Sequence, residues 1–86
     1  MSNSQRQTEL DDILFVVQDF ILQANNGLER KDLVLDLELA YALNNKLDYM
    51  SLVLELEESY NIDFSDEAMS DLKTIQDVVN YICKEI

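Results

Sequence analysis

An 86-residue chain with 18 acidic against 6 basic side chains, a net charge of −12, is a single domain with a small core. Its zero prolines and one glycine are too few turn residues for a β-sandwich or barrel, and 48% hydrophobic with 28% charged residues is not the composition of a disordered tail. The charge disfavours nucleic acid and anionic membranes and favours a basic protein partner, while the absence of histidine removes the commonest general base and zinc ligand.

Residues 1–8 are expected to form a disordered polar end, leaving 9–86 as the domain. The opening MSNSQRQTEL has no apolar signal core, and no run approaches about eighteen apolar residues. A cytoplasmic protein without membrane insertion is expected. Cys83 is the single cysteine, so no disulfide framework exists, and its surroundings predict a half-buried inert thiol.

The first helix is predicted to begin near Thr8, an N-cap with Asp11 three positions on. Leu10, Ile13, Leu14, Val17, Phe20 and Ile21 recur at helical spacing, and Gly27 after Asn25-Asn26 suits a left-handed stop. Leu33, Leu35, Leu37 and Leu39 alternate as in a strand, yet no second strand is evident to pair with them. A long ordered loop pinned by leucines is expected there, with one helical turn between Leu37 and Leu43.

Asn44 or Asn45 can cap the second long helix, with Asp48 in its first turn. Tyr49, Leu52, Val53, Leu56 and Tyr60 fall on one face; Asp48, Ser51, Glu55, Glu58 and Ser59 fall on the opposite one. Leu47, Met50 and Leu54 lie on the border between them. Ser65 can cap a short helix, SDEAMSDL, whose Ala68, Met69 and Leu72 face inward. Thr74 and Asp77 form a capping-box-like start to the last helix, with Ile75, Val78, Val79, Ile82 and Ile86 as its stripe. Asn61, Asp63, Ser65 and Asp71 suggest a calcium loop, but Asp66 and Leu72 stand where such a loop needs glycine and glutamate. No metal site is expected.

These elements, with LELEESYNIDFSDE and KTIQDVVNYI, resemble the acyl carrier protein family from about Leu10 onward. The spacing of Leu47-Asp48, Leu56 to Glu58, Tyr60, Ile62 to Phe64, Asp66-Glu67 and Thr74 to Ile82 follows the family pattern without a gap. The resemblance implies an all-α, four-helix bundle of the acyl carrier type, with three longer helices, one short helix and a long first loop. It also implies 4′-phosphopantetheine, carried by the serine of an Asp-Ser-Leu motif, and an acidic second helix that docks on basic patches of partner enzymes.

This chain reads Asn45-Lys46-Leu47 at that motif, so the attachment serine is absent and no cofactor is expected. An ammonium is not nucleophilic at neutral pH, and a cation in the first helical turn opposes the helix dipole. Lys46 reads as a relic of lost modification, as a selected replacement that pairs with Asp48 or meets an acidic partner, or, least favoured because acidic surroundings oppose the depressed pKa it needs, as itself an attachment or Schiff-base site. With no histidine, no cysteine–histidine pair and no glycine-rich phosphate loop, an enzyme is not expected.

The expected function is non-catalytic partner binding or regulation in an acyl- or peptidyl-carrier pathway of fatty acid, polyketide or peptide biosynthesis. The expected contact residues are Lys46, Leu47, Asp48, Met50, Ser51, Leu54, Glu55, Glu58, Phe64 and Asp66, facing a basic patch on the partner. A monomer is expected. The alternatives are a working carrier with attachment at Ser51 and a structural subunit of a larger complex.

Overall fold

A computed structural model describes residues 2–43 and 45–86, with the side chains of 2–9 excepted. The described regular structure is all-α: α1 (Ser2–Ala24), a 3-10 turn (Arg30–Asp32), α2 (Leu39–Ala42), α3 (Lys46–Tyr60), α4 (Asp66–Asp71) and α5 (Ile75–Glu85). The 23 residues of α1 span about 34 Å at 1.5 Å per residue, against a longest molecular extent of 39 Å.

Apolar spacing decides what each helix buries. Ile13, Val17 and Ile21 of α1 pack with Leu52, Val53 and Leu56 of α3 and Ile75, Val78, Val79 and Ile82 of α5 in one core. Each such side chain contributes roughly 1.5–3 kcal/mol by leaving water. Tyr49 and Tyr60, expected on the core face of α3, are half-buried at its edge, as are Ala68, Met69 and Leu72 around α4. Cys83 is half-buried and packs against the core.

Three local expectations are corrected. The first helix starts at Ser2, ahead of Thr8, which lies within its helical backbone. Residues 2–9 contain no glycine or proline to break the helix, and Gln5, Arg6, Gln7 and Glu9 favour it; Met1 lies outside the described residues. Gly27 does not adopt a left-handed conformation. Asn25 makes the stop instead: its Oδ1 accepts from Gly27 N–H at 3.0 Å and its Nδ2 donates to the Ala42 carbonyl at 3.0 Å. Ile86, expected to extend the stripe of α5, is 57% exposed beyond the helix end.

The leucine-rich connection is ordered, and its alternation has a structural use. Leu33 and Leu39 are buried, Leu37 is half-buried and Leu35 is exposed. Its carbonyls serve the first turn of α5: Leu37 O accepts from Ile75 N–H at 3.1 Å and Leu35 O from Gln76 N–H at 2.8 Å. Leu39 N–H donates to the Lys73 carbonyl at 2.8 Å, and Glu38 and Thr74 form an isolated antiparallel bridge. The extended segment thus pairs with helix-terminal amides that α5 cannot satisfy internally. Gln18 Nε2 donates to the Leu33 carbonyl at 3.0 Å, and Arg30 reaches Gln18 and Asp19 while its guanidinium lies 4.2 Å above the Phe15 ring. These contacts fasten the connection to α1.

Candidate partner-binding face of helix α3

Helix α3 begins where the asparagine cap places it. Asn45 has extended backbone, and its Oδ1 accepts from Asp48 N–H at 2.8 Å. Asn45 Nδ2 in turn donates to Asp48 Oδ2 at 3.3 Å, which fixes the first turn around an acidic side chain. Asn44, the other expected cap, lies outside the described residues. The helix ends at Asn61, which takes φ 54° and ψ 49° while its N–H donates to the Glu57 carbonyl. Asparagine tolerates this left-handed geometry better than other side chains.

Between these caps the core side of α3 is fixed by Leu52, Val53 and Leu56, so the opposite side must face water. Leu47 is 76% exposed, Leu54 57% and Met50 36%. At spacings of three and four residues they form an apolar strip along the helix. Ser51, Glu55 and Glu58 are exposed beside it, and Glu55 accepts from the Ser59 hydroxyl at 3.3 Å. Lys46 is exposed at the first helical position. The ion pairs among the described residues are Arg30–Asp19 and Lys31–Glu29, so Lys46 is not paired with Asp48. Nearly all the expected contact residues on α3 therefore share one outward side, with Asp48 half-buried at its start.

Phe64 does not belong to this surface and is withdrawn from it. It is 7% exposed, its ring stacks on Tyr81, and its N–H donates to Glu57 Oε2 at 2.8 Å. Tyr81 of α5 offers its ring a stacking partner, so Phe64 turns inward and removes its aromatic area from water. Asp66 is exposed in the first turn of α4, where its charge suits the helix N-terminus. Two of the residues that suggested a calcium loop cap helices: Asn61 closes α3, and Ser65 Oγ accepts from Ala68 N–H at 3.0 Å at the start of α4. Asp63 lies between them, its backbone carbonyl accepting from the Tyr81 hydroxyl at 2.7 Å, and Asp71 is the last residue of α4.

Around the start of α3 lies a groove of about 490 Å³ whose lining includes Leu39, Leu43, Lys46, Tyr49, Leu72 and Lys73. Sequence patterning did not reveal it, because its walls come from α2, α3 and the segment after α4 and meet only in the fold. Tyr49 is held there by its hydroxyl, which donates to the Met69 carbonyl at 3.1 Å. Burial pushes that hydroxyl above its ordinary pKa and keeps it a donor.

Among the described residues no helix is long and apolar enough to cross a membrane. No protein-family model and no curated protein matches this sequence.

Proposed function

We propose that this chain is a non-catalytic binding protein of acyl-carrier-like architecture that engages a basic protein partner through the outer side of α3. The observation that carries this reading is the exposed strip Leu47, Met50 and Leu54 bordered by Glu55 and Glu58. An apolar patch rimmed by charge is the composition of a transient interface. Between Asn45 and Leu72 the sequence has eight acids and one lysine, which selects for a basic surface and gives association that weakens with salt.

The acyl-carrier part of the proposal rests on the resemblance and on element order: three longer helices, a short α4 before the last of them, and a long first connection. Lys46 is the first residue of α3, and on the resemblance it stands where that family has its modified serine. An ammonium cannot attack a diphosphate as the serine hydroxyl would, so the chain acts in such a pathway as adaptor, regulator or decoy rather than as carrier. Incubation with coenzyme A and a broad phosphopantetheinyl transferase, followed by intact mass measurement, tests this. The expected result is an unchanged mass. A pantetheine-sized gain refutes the reading, and peptide mapping would show whether Ser51 had accepted the arm.

A further inference from the structure

The turn after α1 carries chemistry that neither the helix packing nor the α3 surface uses. Of the chain's asparagines, Asn26 alone precedes a glycine. Asparagine is thermolabile, because the backbone nitrogen of the next residue can attack its side-chain amide carbon. A glycine in that next position removes the side chain that would crowd the attack and leaves the backbone free to reach it. Asn26 and Gly27 are both exposed and lie in a turn outside any helix, so no helical hydrogen bonds oppose that motion. Among the described residues no group holds the Asn26 side-chain amide. Its neighbour Asn25 differs on each count: it is half-buried, its Nδ2 donates to the Ala42 carbonyl, and the residue after it is Asn26.

Asn25 also touches the reacting atoms. Its Oδ1 accepts the Gly27 N–H at 3.0 Å, and that nitrogen is the attacking atom. An amide oxygen is too weak a base to remove the proton, but it holds the proton away from solvent hydroxide. We propose that Asn26 is a site of spontaneous deamidation and that the Asn25 side chain slows it in the folded chain. Solvent base takes the Gly27 amide proton, and the Gly27 nitrogen bonds to Asn26 Cγ. The Cγ–Nδ2 bond then breaks, and ammonia leaves once Nδ2 has taken a proton from water. The cyclic imide adds water. Opening at Cγ leaves aspartate; opening at the backbone carbonyl leaves isoaspartate, with one extra methylene in the main chain. Either product adds one negative charge to the −12 of the chain. Isoaspartate also lengthens the link between Asn25, which ties the end of α1 to Ala42, and the 3-10 turn.

Ageing the full chain in mildly alkaline buffer, with intact mass measurement and fragmentation of the peptide spanning the end of α1, tests the site. The small mass gain of amide-to-acid conversion is expected on Asn26 ahead of every other asparagine, with isoaspartate among the products. Gly27→Ala should slow the gain at least about tenfold. The fold accommodates that variant, because Gly27 has no positive φ and an added Cβ meets only Asn25 Oδ1, at 3.3 Å. Asn25→Ala frees the Gly27 N–H and should speed the gain about two- to tenfold, the weight of one modest hydrogen bond. Asn25→Asp keeps an oxygen acceptor for that N–H while losing the tie to Ala42, and should stay near the parental rate. In urea the parent and both Asn25 variants should converge on one faster rate. Conversion at Asn26 no faster than at the other asparagines of the folded chain, or a Gly27→Ala chain that converts as fast as the parent, would overturn the site. A parental rate in Asn25→Ala, or equal acceleration in Asn25→Asp and Asn25→Ala, would overturn the restraint by Asn25.

Discussion

The ring of Phe64 stacks on the ring of Tyr81 with centroids 4.7 Å apart and planes inclined by 28°. This contact holds the chain between α3 and α4 against α5, and the Tyr81 hydroxyl adds a hydrogen bond to the Asp63 carbonyl at 2.7 Å. The two residues should differ in what they contribute. Phe64→Ala removes a buried aromatic side chain and should cost about 3–5 kcal/mol in urea unfolding. Tyr81→Phe keeps the stack and loses only an exposed hydrogen bond, at about 0.5–1.5 kcal/mol. Equal costs would mean that the hydroxyl, and not the ring contact, carries this junction.

Acid sensitivity should centre in part on Asp77. Its carboxyl is held below its ordinary value of 3.8, first by the backbone N–H groups of Lys73 and Thr74. Both donate to Asp77 Oδ2 at 3.0 Å, while Asp77 N–H donates to Thr74 Oγ1 at 3.2 Å. A depressed carboxylate contributes stability above its unfolded pKa and loses that contribution as pH falls through the folded pKa. Asp77→Ala should therefore melt below the parent at pH 7, with the gap closing below about pH 4. A gap that persists undiminished in acid would assign the cost to helix propensity or packing instead of to ionisation.

The stop of α3 offers a backbone test. Asn61 is the positive-φ residue among the described non-glycine positions, and Ile62 N–H also donates to the Glu57 carbonyl, at 3.2 Å. Asn61→Gly should retain or slightly raise the melting temperature, because glycine adopts this region without penalty. Asn61→Val should lose about 1–2 kcal/mol. If valine were tolerated as well as glycine, the left-handed geometry would not be what ends this helix.

Helical periodicity made much of the core legible. Ile13, Val17 and Ile21, and likewise Ile75, Val78, Val79 and Ile82, were readable because each set follows a helical repeat and no competing partner exists. Capping residues were also legible where a short polar side chain precedes the first turn, as at Asn45, Ser65 and Thr74. What stayed hidden depended on tertiary contacts. The strand-like leucines pair their carbonyls with the amides of Ile75 and Gln76, a use that alternation alone cannot distinguish from a missing sheet. Phe64 had the composition of an interface residue until Tyr81 covered it. Glycine attracted the left-handed assignment at Gly27, while the residue that adopts it is Asn61, for which Asn as a second-choice C-terminal stop was the available signal. The groove between α2 and α3 left no trace in local pattern.

Three glutamates of α3 should separate structural from recognition roles. Glu57 Oε2 accepts from the part-buried Phe64 N–H at 2.8 Å, whereas Glu55 and Glu58 are exposed beside the apolar strip. Glu57→Ala strands a backbone donor and should cost about 1–3 kcal/mol. The double variant Glu55→Lys, Glu58→Lys should unfold within about 0.5 kcal/mol of the parent, since neither side chain supports a buried group. Its capture of a basic partner should nevertheless weaken, and the salt dependence of the remaining binding should flatten, because two attractive charges have become repulsive. Leu54→Ser should weaken capture without changing that salt dependence, since it removes apolar contact alone. If both variants captured the partner as well as the parent does, the interface would lie on another side of the molecule, and the exposed strip on α3 would be an ordinary solvated surface.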